Sequence, residues 1–260
     1  KSFVSEITKS LDPIVNDWKN RPLNVYYFPY IYVDAMYIKV REGKRVVSKA
    51  VYVACGVNEK GYREIIGLKV DHKESEQSWS SFFEYLKSRG IHSPQMIISD
   101  AHAGLIKAIR ETFLGTSWQR CTVHLLRNII DTMPKKGMEE AKEDLKAIFR
   151  TSKRKHADEL KTSFINKYQD TKKLQKAIEL LDSGYEDAMQ FHSQPPKYHR
   201  YFRTTNMIER VNREIRRREK VISVFPNDQS VIRIIGSVLM NIDEEWANKQ
   251  YLKNYDGSED

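Results

Sequence analysis

Three acidic residues stand where a carboxylate is either costly or well placed to meet a ligand. Asp34 interrupts the apolar run Tyr30-Ile31-Tyr32-Val33-Asp34-Ala35-Met36-Tyr37-Ile38. Strand alternation would put Tyr32, Asp34, Met36 and Ile38 on one face, and a carboxylate in that company needs a partner or a cation. An aspartate at a strand end, capped by backbone amides, would satisfy the same pattern. Asp100 directly follows Met96-Ile97-Ile98-Ser99 and precedes Ala101-His102-Ala103-Gly104, the entry to a helix. Ligands collect at the carboxyl ends of strands in such sheets, although an N-cap aspartate is the commonplace alternative. Glu209 lies in Thr204-Thr205-Asn206-Met207-Ile208-Glu209-Arg210. It shares a helical face with Arg213 and Arg216, with Asn212 beside them. Asn206 and Glu209 also imitate a capping box, and a Glu–Arg pair is ordinary on a solvated helix.

Taken together, the three acids fit metal-dependent phosphodiester chemistry. That reaction needs a deprotonated oxygen nucleophile and a stabilised leaving oxygen, and two Mg²⁺ ions supply both. Such ions take hard oxygen ligands, so Asp34, Asp100 and Glu209 are the candidate catalytic and metal-binding residues. The stretch 203–220 carries seven basic residues against three acidic ones. A helix with that bias would track a DNA backbone, with Arg203, Asn206, Arg210, Arg213, Arg216, Arg217, Arg218 and Lys220 as the candidate contacts; a solvated helix is the plainer alternative. Cys121-Thr122-Val123-His124 has the spacing of half a zinc site, but a structural zinc needs four ligands, and the sequence offers no matching second half. A buried Cys121 and a hydrogen-bonded His124 near the site are expected instead.

The elements that must position these residues follow from periodicity. Residues 3–19 are predicted helical, with Asp12 as N-cap of a segment restarted at Pro13. Tyr26–Val40, Val46–Val57 and Tyr62–Val70 are predicted strands joined by glycine-containing turns at Gly43 and Gly61. A helix over Ser75–Arg89, a short strand at 96–98, a helix over Leu105–Phe113, a strand over Ser117–Val123 and a helix over His124–Asp131 complete a βββαβαβα order. This order predicts an α/β fold, a mixed sheet of three antiparallel strands followed by alternating helix and strand, the ribonuclease H-like arrangement. Between 134 and 203 only helical stripes appear, which predicts an all-α insertion. Helices over Asn206–Arg218 and Ser230–Trp246 follow the insertion. The expected organisation is a helical lead-in (1–22), the first part of the core (23–133), the insertion (134–203), core completion with the Glu209 helix (204–250) and a flexible tail (251–260).

The 260-residue chain has a formal net charge of +9, which suits a polyanionic partner. Two cysteines exclude a disulfide framework and fit a reducing compartment. No apolar run approaches the ~18 residues of a membrane span. The start at Lys1-Ser2-Phe3 has neither Met nor a signal-peptide pattern, as expected of a fragment.

Several stretches, taken in order, resemble Mutator-type bacterial insertion-sequence transposases: Tyr32-Val33-Asp34-Ala35, Ser99-Asp100-Ala101-His102-Ala103-Gly104-Leu105, Trp118 through Asn128, Thr204 through Arg213, and Phe225-Pro226-Asn227-Asp228. The resemblance implies a ribonuclease H-like core with a helical insertion and an Asp-Asp-Glu triad on Asp34, Asp100 and Glu209. It implies cleavage at transposon ends dependent on Mg²⁺ or Mn²⁺, two ions in all, followed by attack of the freed 3′-OH on another phosphodiester. It further implies DNA as partner, homo-oligomerisation with a dimer expected, and a bacterial cytoplasmic, nucleoid-associated setting. Cys121 and His124 match a signature shared with related eukaryotic transposases. Two features depart from the family. Residues 1–22 leave no room for the helix-turn-helix region that reads terminal repeats. The insertion also lacks the Trp that relatives place near the active site, leaving Tyr185 or Phe191 to stack on a base. The competing functional readings are a structure-specific nuclease on the same fold and a catalytically silent DNA-binding or assembly module.

Overall fold

The computed structural model describes residues 10–255. The elements run α1 (Leu11–Asn20), β1 (Tyr30–Glu42), β2 (Arg45–Val57), β3 (Arg63–Asp71), α2 (Glu76–Ser88), β4 (Met96–Ser99), α3 (Ala103–Thr112), β5 (Ser117–Arg120), α4 (Thr122–Asp131), α5 (Glu139–Arg150), α6 (Arg154–Tyr168), α7 (Gln175–Ala188), α8 (His199–Phe202), α9 (Asn206–Ile222) and α10 (Asp228–Ala247), with short 3₁₀ turns between α6 and α8. The five strands form one sheet in the order β3-β2-β1-β4-β5. This is the expected mixed α/β, ribonuclease H-like arrangement. The chain divides into two compact units, one of residues 1–97, 102–117 and 206–260, the other of 98–101 and 118–205.

In the first unit, β1 and β2 pair antiparallel from Tyr30↔Val57 to Glu42↔Arg45. Gly43 takes φ +60° in the two-residue turn between them, a conformation that favours glycine. Burial along β1 changes at Asp34. Tyr30 through Val33 are buried on both faces; beyond Asp34, buried Met36, Ile38 and Val40 alternate with exposed Tyr37, Lys39 and Arg41. The aromatic cluster under α2 supplies much of this unit's core. Trp79 is fully buried, its ring 4.7 Å edge-on from Tyr52 and 5.6 Å from the stacked Phe83. Ser75 and Ser78 cap α2 reciprocally. Gly104, in the first turn of α3, lies where a Cβ would sit 2.6 Å from the backbone nitrogen of Glu76. Only glycine permits that approach of the two helix starts. At the other edge, Asp243 on α10 accepts hydrogen bonds from the Ile65 amide (2.7 Å), Trp18 Nε1 (3.0 Å) and Arg21 (3.0 Å), tying α1 and β3 to α10.

Several boundaries differ from the sequence expectation. The described helix begins at Leu11, so Asp12 lies within its first turn and is not the N-cap. Asp12 pairs instead with Arg233 through two contacts of 2.6 Å; residues 3–9 of the predicted helix lie outside the described residues. β1 starts at Tyr30, because Tyr26–Pro29 turn into the strand. β5 stops at Arg120, and Cys121 is already the N-cap of α4. Of the expected flexible tail, 251–255 is anchored. The amides of Tyr251 and Leu252 donate to the Gly61 carbonyl (2.8 and 3.0 Å), and Leu252 is fully buried. The tail beyond 255 lies outside the described residues.

The second unit is helical apart from its strand residues. Gly184 of α7 packs where a Cβ would meet Arg120 Nη1 at 2.6 Å and Leu125 Cδ1 at 2.8 Å. Gln119 clamps α7 from within by donating to the Ala188 carbonyl (2.9 Å) and accepting from the Phe191 amide (2.7 Å). Tyr185 and Phe191 are 1% exposed. The Tyr185 hydroxyl is 2.8 Å from Asp158, and Phe191 packs on His192 and His199. Neither ring offers a free face to a base, so the expected stacking role is not supported by their placement.

Burial, with the charges of His199 and Arg154 adding to it, pushes His192 down to about 4; Asp158 opposes the shift weakly. Burial lowers His199 as well. Both histidines are therefore neutral in the folded state at neutral pH. At these two sites the unfolded chain binds more protons below about 6.5, so their contribution to stability is full above that value and is lost as pH falls toward 4. A urea midpoint measured at pH 7 and again at pH 5 should drop for the wild type. For His192→Asn the drop should be smaller; an equal drop in both would refute the assignment.

Candidate active site

Asp34 occupies the fifth position of β1, in mid-strand and half-buried. It is not a strand-end cap. Its Oδ1 accepts from the Ala35 amide at 2.8 Å, and its Oδ2 accepts from Nδ2 of Asn212 on α9. These amide donors orient the carboxylate without cancelling its charge. Asn212 is the residue whose role the sequence leaves unassigned. The available signal is its position three residues after Glu209, on the same helical face. The carboxamide oxygen of Asn212 is buried without a hydrogen-bond donor among the described residues.

Glu209 stands in the first turn of α9, half-buried. Met207, Ile208, Val211 and Ile215 are buried and fix the rotation of the helix, so Glu209, Asn212 and Arg216 share the side turned toward β1. Arg216 donates to the Tyr37 carbonyl at 2.8 Å and pairs with Glu219. It is thus engaged with protein, whereas Arg218 and Lys220 are exposed and enter no ion pair among the described residues. Arg203 sits outside this helix, its carbonyl accepting from the Thr122 amide and hydroxyl (2.9 and 2.8 Å).

Asp100 lies in the loop after β4, half-buried. It does not cap α3: His102 does, its Nδ1 accepting from the Leu105 amide at 3.3 Å. Ser99 braces the loop, with its hydroxyl donating to the Asp100 carbonyl (2.9 Å) and accepting from Trp118 Nε1 (2.9 Å). The Asp100 carboxylate meets Nδ1 of His124. That contact, with a hydrogen bond to Cys121, raises His124 to about 10 against its partial burial. Cys121 is fully buried. Burial pushes its thiol up, but hydrogen bonds with His124 and Thr205 outweigh burial and hold it below its ordinary value. Ligand atoms of Asp100, Cys121 and His124 lie within 4.8 Å of one another.

The donor chemistry discriminates between metals. The carboxylates of Asp34, Asp100 and Glu209 are hard oxygen donors that suit Mg²⁺ or Mn²⁺. The sulfur and imidazole beside Asp100 suit softer ions, and a lone Cys, His and Asp fall one short of a closed structural zinc site.

Residues 1–249 match the family model described as Transposase, Mutator family. The chain is 48% identical over 258 residues to the transposase for insertion sequence element IS256 in transposon Tn4001 of Staphylococcus aureus, a match covering 98% of this chain and 66% of that protein. It is 36% identical over 255 residues to the transposase for IS1081 of Mycobacterium tuberculosis (97% and 60%) and 33% identical over 258 residues to that for ISRM5 of Rhizobium meliloti (98% and 63%). The chain thus spans somewhat less than two thirds of the length of these relatives. Among solved structures, the HTLV-2 integrase catalytic core domain in complex with magnesium, in dimeric form, aligns with a TM-score of 0.27 at 12% identity, covering 47% of this chain and 86% of that one. No helix among the described residues is long and apolar enough to cross a membrane. The whole-length family match, together with relatives at up to 48% identity, shows that the chain belongs to the Mutator family of transposases.

Proposed function

We propose that this chain carries the catalytic centre for DNA transposition, cutting a phosphodiester at transposon ends and joining the freed 3′-OH to another DNA. Asp34, Asp100 and Glu209 are its metal ligands. The observation that carries the reading is Asp34, a carboxylate set into the middle of β1 and oriented by the Ala35 amide and Asn212. A carboxylate there costs free energy that hydrogen bonds, an ionic partner or a bound cation must offset, and a divalent ion beside it would do so. Two divalent ions bound by these acids would activate the attacking oxygen and stabilise the leaving one.

The chain's own residues have separable roles. Asp34 and Glu209 present oxygens from a strand and from a helix whose rotation is fixed by four buried side chains. Asn212 holds Asp34 in one rotamer, as outer partners of metal ligands do. His124 pairs with Asp100 and must release that carboxylate, wholly or in part, for it to ligate a cation. Basic side chains of 203–220 would engage DNA phosphates, and the assembly that acts would be a homo-oligomer, with a dimer expected.

Asn212→Ala should lower cutting by about 10–100-fold and raise the Mg²⁺ concentration needed for half-maximal rate, with little change in stability. An unchanged metal requirement would remove Asn212 from this role. Pre-nicked element-end DNA with a free 3′-OH should be joined to a target duplex in Mg²⁺. Hydrolysis with no joined product would replace the transposase reading by a nuclease.

A further inference from the structure

The arginines of α9 face two directions, and the second direction forms a site with a residue far away in sequence. Arg210, Arg213 and Arg217 line a cleft of about 290 Å³ against α10, together with Arg63 of β3. Glu214 and Glu245 also line it, leaving cations in excess. Arg217 is paired with Glu214 at 3.2 Å, whereas Arg210 and Arg213 are exposed and enter no ion pair among the described residues. Arg63 is the informative member. Its guanidinium lies over the Trp246 ring at 4.2 Å and the Tyr251 ring at 5.0 Å. Its Nε is buried without a hydrogen-bond acceptor among the described residues. A guanidinium held by aromatic faces, next to other uncompensated guanidiniums, lacks the anion that such a fork is built to receive.

We infer that this cleft is a phosphate site that receives the sugar–phosphate backbone of a DNA segment, by charge and without reading sequence. The inference rests on the DNA-processing reading above and adds to it a contact surface centred on Arg63. Arg63 already covers the Trp246 ring, which is 8% exposed, so no aromatic face in the cleft is free for a base. Stacking on Trp246 is thereby excluded, and the guanidiniums are the groups left to meet the DNA, whose backbone presents phosphate oxygens that suit them.

Binding of a fluorescent duplex without element ends, titrated in EDTA at several salt concentrations, tests this. Arg210→Gln and Arg63→Gln should each weaken binding on the order of tenfold at about 0.1 M salt, and should reduce the slope of log K against log salt by about 0.9 for each phosphate left without its cation. Glu245→Lys, an exposed charge gain on the cleft rim, should tighten binding and steepen the slope. It guards against a fold defect in the Arg63 variant, since damage does not tighten binding. Inorganic phosphate at matched ionic strength should compete more strongly with wild type than with Arg210→Gln; equal competition would show that the cleft holds no phosphate. If Arg210→Gln and Glu245→Lys both leave affinity and slope unchanged, the inference is overturned. Asp34→Asn separates this from the catalytic reading: a variant that binds normally but does not cut, alongside an unaffected Arg210→Gln, would sink the cleft and leave the metal centre standing.

Discussion

Asp34→Asn, Asp100→Asn and Glu209→Gln should each reduce DNA nicking and joining by about 10³-fold or more, because loss of a metal-held charge removes several kcal/mol of transition-state stabilisation and each ~1.4 kcal/mol is tenfold in rate. The substitutions keep size and shape, so folding should survive. The Asp34 carboxylate accepts from the Ala35 amide and the Asn212 carboxamide, and the carboxamide introduced by Asp34→Asn still offers an acceptor oxygen to one of them. Asp100→Asn removes the ionic part of the His124 contact and should shift that histidine back toward its ordinary range, a change visible by NMR titration independent of activity. The measurement is single-turnover cleavage of end-containing duplex in Mg²⁺, with circular dichroism and an unfolding midpoint confirming the fold. Near-normal rates in two of the three variants would dismantle the triad.

Trp79→Ala should be the most damaging single change to stability, costing about 3–5 kcal/mol from a domain whose total is of order 5–15 kcal/mol. The indole is fully buried between Tyr52 and Phe83, and its Nε1 donates to Glu74 at 3.0 Å. Truncation would leave a cavity beside β2 and free a carboxylate. A fall in the urea midpoint with an unchanged m-value is the expected record. A loss under about 1 kcal/mol would show that the cluster can collapse around the void.

Much of the architecture is legible in the sequence because burial writes itself into local pattern. The three meander strands read clearly from runs such as Val46–Val57, and Met207, Val211 and Ile215 mark the buried side of α9. Asp34 falls on the correct face because Met36 and Ile38 share its parity and are both buried. What escapes depends on contacts between elements remote in sequence. Nothing near Arg63 announces that Trp246 and Tyr251 will lie under it. Gly61 accepts the amides of Tyr251 and Leu252 only because the chain returns past that turn, which is why a polar terminus reads as wholly flexible. His102 caps α3, a duty usually given to Asp or Ser, and sequence therefore leaves Asp100 open to a capping role it does not have. Tyr185 and Phe191 read as available rings because aromatic type does not reveal which side of a helix will be covered.

Asp34, Asp100 and Glu209, far apart in the chain, are proposed to ligate the same ions. Crystals of the chain soaked in Mn²⁺ and measured for anomalous scattering test this directly. Peaks within coordination distance of carboxylate oxygens of Asp34, Asp100 and Glu209 are predicted. Manganese bound only at Cys121 and His124, or absent from Asp34 and Glu209 at millimolar concentration, would contradict it.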